Sequence, residues 1–363
     1  MKLRAIAAVT AALAVVLSPV GTAQATPSRS GPTTLADGLV WPLHLSVGPG
    51  KVVTVSESFA SRLSNVSRSG VTKTIYAAPD WDVAGSEYRG STLYFLQSAG
   101  AGPMDPRPLA GSLKAIDARG RVTTITSQLG VHETMTNPDQ NTRYGLSAAD
   151  AAAHPDCVAQ LEAAQVPTSY TGEVDSHPYG LAVDGNTAYV ADAGANAVLT
   201  VNLRTGAIRT LAVLPARPVK ITADQAAGLG IPACGGLTYN FESVPTDVEV
   251  GPDGWLYVAS LPGGPEDDSL GARGAVFRVN PWTGKAHVYV DGLLSPTGIA
   301  LDDHGNLYIA SLFGAGVYKV RPGSHHATLF LAAEEAAAVE VRGSTLYVTT
   351  HVFGNGTLIA KRL

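Results

Sequence analysis

One phrase returns six times along this chain of 363 residues, and little besides a ring of like units can be built from it. It is a short strand, a tight turn and then a strand of the Leu-Tyr-Val-Ala kind. The copies run Trp41-Pro42…Val52-Val53-Thr54-Val55, Asp82-Val83…Leu93-Tyr94-Phe95-Leu96 and His177-Pro178-Tyr179-Gly180…Ala188-Tyr189-Val190-Ala191. They continue as Pro245-Thr246-Asp247…Leu256-Tyr257-Val258-Ala259, Pro296-Thr297-Gly298…Leu307-Tyr308-Ile309-Ala310 and Ala336…Leu346-Tyr347-Val348-Thr349. Taking 53, 94, 189, 257, 308 and 347 as equivalent, the intervals are 41, 95, 68, 51 and 39. The shortest two fit one four-stranded propeller blade, and the longer ones imply insertions. Alternation such as Val317-Tyr318-Lys319-Val320 suits half-buried antiparallel strands. With 39 glycines and 23 prolines, turns are favoured over long helices. The predicted fold is all-β, a six-bladed β-propeller.

The sixth copy stops after its third strand, at Leu363. Asp37-Gly38-Leu39-Val40-Trp41-Pro42 reads like Asp291-Gly292-Leu293-Leu294-Ser295-Pro296, which joins an outer strand to the next blade. The N-terminal segment is therefore predicted to complete the last blade and close the ring, leaving no long free edge.

All the long segments belong to one face. They are the loops 98–111 and 262–274, between second and third strands, and the links 128–176 and 215–243, between blades. The turns of the other face are tight, as at Asp184-Gly185-Asn186 and Arg321-Pro322-Gly323. Long loops on a rigid scaffold commonly carry binding. Cys157 lies in one link and Cys234 in the other, so a disulfide would tie both into a cap over the third blade. Ser147 with Asp150, and Thr222 with Gln225, read as starts of short helices inside it.

Lys2 and Arg4, an apolar run over 5–17 and Ala23-Gln24-Ala25 together read as an export signal cleaved near Ala25/Thr26. Thirteen apolar residues are too few to span a bilayer, which takes about 20. The domain expectation is thus a signal over 1–25 and one propeller over 26–363, secreted to the envelope or beyond. In an oxidising compartment a chain with two cysteines pairs them. Losing Lys2 and Arg4 leaves 23 basic against 30 acidic groups, and no basic groove stands out. Nucleic acid is not an expected partner.

Gly-x-Ser-x-Gly, HExxH and Gly-x-Gly-x-x-Gly are all missing, which disfavours hydrolase-elbow, zincin and dinucleotide chemistry. What remains is the channel. Trp41, Asp82, His177, Val244, Ser295 and Glu335 align at the start of the inner strands, and His44, Gly85, Gly180, Asp247, Gly298 and Ala338 align one turn deeper. Asp82, His177 and Glu335 are candidate ligands for a divalent cation (calcium, manganese or zinc), with His44, Asp247 and Glu242 as further ligand-binding candidates and Asp175 at the rim. Solvated channel polar groups explain the same residues without an ion. Tyr170, Tyr239 and Phe241, in the links, either face an apolar ligand or pack the cap onto the blades. Asp192 and Asn196 are expected to bond local backbone.

Tyr189-Val190-Ala191-Asp192-Ala193-Gly194-Ala195-Asn196-Ala197-Val198 looks like the repeat signature of NHL-type propellers. With 173–181 (Glu173-x-Asp175-Ser176-His177-Pro178-Tyr179-Gly180-Leu181) and Glu242-Ser243-Val244-Pro245-Thr246, the chain resembles the ScyD/ScyE family, exported propellers named after a pigment-biosynthesis cluster. The resemblance implies a secreted propeller and supplies no catalytic residue set, because a fold outlives its uses. The leading expectation is a monomeric, non-catalytic binding or scaffold protein that holds a small molecule, glycan or protein segment at the capped face. The alternative is a metal-dependent lactonase or esterase, or a strictosidine-synthase-like enzyme, with its site in the channel. Such lactonases open with a Glu directly before the first inner strand, where this chain reads Val40-Trp41-Pro42.

Overall fold

The computed structural model describes residues 31–102 and 105–363; the export signal and its cleavage point lie outside them. Six antiparallel four-stranded sheets follow one another along the chain, each ordered from an inner to an outer strand. Their inner strands are Pro42–Val47, Asp82–Arg89, Pro178–Asp184, Pro245–Val250, Pro296–Leu301 and Val339–Arg342. Each inner strand packs on the next and the last packs on the first, so the ring is closed. These sheets are blades one to six of the predicted propeller.

The burial pattern shows where the stabilisation comes from. Second strands such as Leu256–Ser260 and Leu307–Ser311 are buried throughout, whereas the outer strand Thr72–Ala77 has no buried residue. The apolar core is divided among the blade interfaces. Leu96 and Leu113 of blade two meet Leu181, Val190 and Leu199 of blade three. Val248, Val258 and Phe277 of blade four meet Ala191, Val198 and Leu214 on the third side. Around the channel the inner strands approach so closely that side chains are excluded at some rungs: a Cβ on Gly180 would lie 2.5 Å from Asp247 Cα.

Ring closure is as predicted. Thr33–Leu39 pairs antiparallel with Gly356–Arg362, with Thr33 opposite Ala360 and Leu39 opposite Gly356. The strand pairing corrects one repeat assignment. The tyrosine rung is set by Glu87↔Tyr94, Ala182↔Tyr189, Glu249↔Tyr257, Ala300↔Tyr308 and Glu340↔Tyr347, and its partner in blade one is Ser46↔Thr54, so Thr54 and not Val53 is the equivalent residue.

A seventh four-stranded sheet was not anticipated. Its order is Ser169–Thr171, Arg143–Leu146, Thr238–Phe241 and Arg217–Lys220, so the two long links are hydrogen-bonded into one cap. Around it lie helices α1 (Leu129–Thr136), α2 (Ala148–Ala153), α3 (Pro155–Ala163) and α4 (Ala223–Gly228). Ser147 caps α2 and Thr222 with Gln225 forms the capping box of α4, both as read from the sequence. The cap has its own core of Leu146, Leu161, Ile221, Ala226, Ile231, Tyr239 and Phe241, with Leu270 from the 262–274 loop. Cys157 on α3 and Cys234 are disulfide-bonded inside it.

Among the described residues no helix is long and apolar enough to cross a membrane.

Candidate functional site at the capped mouth of the channel

Where blades one to three meet the cap, the second-to-third-strand loops and the blade links line an open cavity of about 600 Å³. Its wall combines Phe59 and Trp81 with Asp82, Arg107, Asp175, His177 and Glu242. The volume lies within the range of small-molecule sites.

The centre of the wall is a pair built by two adjacent blades. Asp82 begins the inner strand of blade two and His177 precedes that of blade three, which puts His177 Nε2 2.7 Å from Asp82 Oδ2. Burial disfavours the imidazolium, but the hydrogen bond and charge of Asp82 outweigh it, so the His177 pKa is raised. The turn behind His177 is fixed by Asp192, whose carboxylate accepts from the His177 and Ala195 backbone N–H groups and from Ser176 Oγ. Burial raises the Asp192 pKa to about 6 against those bonds. Asn196 donates to Asp139 Oδ2 at 3.0 Å and accepts from Val244 N–H at 2.9 Å, which fastens the cap links to blade three. Asp192 thus bonds local backbone at Ala195 as expected, whereas the Asn196 side chain, against expectation, reaches Asp139 and Val244, 57 and 48 positions away, because the cap links fold back onto blade three.

The rim is held by charge. Asp175 Oδ1 accepts from Gly102 N–H at 3.0 Å, drawing the 98–111 loop towards blade three. Arg107 is already engaged by Asp105 and by the Asp80 carbonyl. Tyr170 donates to Glu242 Oε1 at 3.0 Å; burial raises the Glu242 pKa and that hydrogen bond opposes the rise. With Asp82, Asp105, Asp175 and Glu242 against Arg107 and His177, the cavity carries an acidic surplus. Val244, on its wall, holds φ at +43°, as Trp41 (+50°), Ser295 (+45°) and Glu335 (+48°) do at the equivalent blade starts, so this turn belongs to the repeat.

The structure brings together Asp82, His177, Asp175 and Glu242, while other candidates fall elsewhere. Tyr239 and Phe241 are 4% and 8% exposed, their rings 4.6 Å apart, with Arg273 stacked over Phe241. They pack the cap, because their strand turns those faces into its core. Glu335 is not drawn to Asp82 and His177: its left-handed turn (φ +48°) directs the carboxylate to Phe353 N–H. Asp82, His177 and Glu335 do not form a ligand group; among the described residues the one such group is Glu87, Glu249 and Glu340. His44 and Asp247 lie deeper. The Tyr179 ring lies 4.3 Å from the His44 ring and 5.1 Å from that of His177, and the charges of Asp82 and His177 both act on His44. Burial lowers the His44 pKa to about 4 and raises that of Asp247 to about 7. Phe59, Trp81 and Arg107 were missed. Their only sequence signal was membership of the loop-rich face.

Comparison with known proteins gives the fold. No family model matches the chain and no curated protein matches it. Among solved structures it is similar to a Bacteroides thetaiotaomicron protein of unknown function, at 10% identity over 91% of this chain and 75% of that one, TM-score 0.57. A gluconolactonase from Xanthomonas campestris is similar at 14% identity over 91% and 89%, TM-score 0.55. The aldose sugar dehydrogenase of Streptomyces coelicolor, solved in its PQQ-bound form, is similar at 12% identity over 91% and 96%, TM-score 0.52.

Proposed function

We propose that this chain is a secreted propeller that binds a small, hydroxyl-rich molecule, neutral or cationic, in the capped mouth of its channel. The observation that carries this reading is the cavity itself. It has the volume for a sugar-sized ligand, two aromatic rings for stacking and a surplus of carboxylates that accept hydroxyl hydrogens and repel anions. Secretion rests on the sequence-level export signal, on the resemblance to the ScyD/ScyE family and on the disulfide.

A second reading is favoured by the Asp82–His177 pair. A histidine held by a carboxylate at 2.7 Å is the arrangement that lets an imidazole take a proton from water or a hydroxyl. In an enzyme of this design Asp82 orients and charges the imidazole, and His177 activates the water that attacks a lactone or ester carbonyl.

A panel of sugars, polyols, their lactones and amine-bearing analogues separates the readings, scored by calorimetry for binding and by proton release for hydrolysis. Binding of an intact ligand that Trp81→Ala weakens about tenfold or more, without turnover, supports the first. Turnover that His177→Gln lowers ~10²–10⁴-fold supports the second. Preference for anionic ligands would sink both.

A further inference from the structure

Below the Tyr179 ring the tyrosine rung of the inner strands reads Ser46, Glu87, Ala182, Glu249, Ala300 and Glu340. Alternate blades therefore carry a glutamate, and the blades between them carry a small residue. Carboxylate oxygens of the three glutamates all lie within 4.8 Å of one another. Beside them an enclosed cavity of about 20 Å³ is lined by His44, Ser86, Asp247, Glu249 and Glu340. That space admits one water-sized occupant and no organic substrate. His44, which lines this cavity, is 6% exposed, and its Nε2 has no hydrogen-bond partner. An orphaned nitrogen this deeply buried calls for a hydrogen-bonding occupant.

We infer that the rung of Glu87, Glu249 and Glu340 is a binding site for one divalent cation, calcium by ligand type, that clamps blades two, four and six across the channel. Three carboxylates offer up to six hard oxygens, which suits calcium and then manganese over zinc. Asp247 adds negative charge nearby, and Arg342 is the basic group that acts on Glu87 and Glu340. The His44 imidazole, on the same small cavity, is available to a water on the ion. The site is separate from the mouth pocket and does not depend on the function proposed for it.

The test uses the full mature chain, stripped with EDTA and titrated with calcium, manganese or magnesium chloride. Metal content is read by plasma mass spectrometry and melting by calorimetry. The expected result is one equivalent of cation and a rise in Tm of about 5 °C at hundredfold excess over Kd. Glu249→Gln should lose the cation and its Tm shift while still melting cooperatively like the stripped wild type. Asp82→Asn at the mouth should keep both cation and shift. Absence of any bound cation and of any Tm response would overturn the inference. So would a cation lost in Asp82→Asn and retained in Glu249→Gln.

Discussion

Glu133 on α1 is 1% exposed, so its carboxyl is cut off from water. Burial, with the charges of Asp192 and Asp139 beside it, raises its pKa to about 8. A carboxyl with a folded pKa above its unfolded value contributes stability fully present below the unfolded pKa, near 4.5, and lost as pH rises through 8. Glu133→Gln keeps the neutral shape. It should match the wild type near pH 4 and exceed it at pH 8.5 by a few degrees, roughly 2–5 °C, in Tm. A difference independent of pH would show that Glu133 is already ionised in the fold. His177 runs in the same direction for another reason: Asp82 holds its pKa up against burial, so the pair stabilises most below the unfolded value of 6.5 and less as pH rises through the raised one. In Asp82→Asn the His177 titration, followed by imidazole NMR, should fall by about one unit or more. An unmoved titration would remove Asp82 as its cause. The sequence exposed both residues as members of the ring at the strand starts. The sequence also offered them as ligands of one cation; that they bond each other directly was not legible, because alignment of the blades gives a level in the channel and not a side-chain direction.

The cap shows the limit of periodicity as a guide. Its strands Arg143–Leu146 and Ser169–Thr171 are four and three residues long, too short for alternation to register, and the first of them pairs with a segment from the other link. Helices α2 and α4 were legible because a cap needs only a side chain and a spacing; α1 begins at Leu129 after Gln128, which makes no side-chain cap bond, and left no such trace. For Tyr239 and Phe241 the sequence left two orientations open, and pairing within the cap sheet decided between them. The disulfide bridges 77 positions with a whole blade between them. In the chain-entropy picture a loop of that length is worth about 4–5 kcal/mol to the folded state. Cys157→Ala/Cys234→Ala should therefore open the cap before the ring. Hydrogen exchange should quicken at 143–146 and 238–241 while protection of 187–192 and 256–260 holds. Uniform loss of protection would mean that cap and blades unfold as one unit.

At the scale of the molecule, six copies with one incomplete blade were enough to write the ring and its closure in advance, because every blade repeats the same inner pairing. The seventh sheet stayed hidden, since it belongs to no copy. Closure rests on Thr33–Leu39. Deleting 33–39 leaves Gly356–Arg362 as a bare edge and opens the apolar cluster around Ala36, Leu39 and Leu358. That variant should associate on size exclusion and melt at least about 10 °C lower; a monomer with unchanged Tm would show that the ring does not need its clasp. The clasp also sets a timetable. Of the described strands, Thr33–Leu39 is made first and its partner Gly356–Arg362 last. The first waits unpaired while the blades between them are made, so ring closure is a late, non-local step. During that interval five blades are complete and the sixth is a template for any free strand nearby. Aggregation in a failing variant should therefore be seeded at this seam, whatever position in the ring the mutation occupies.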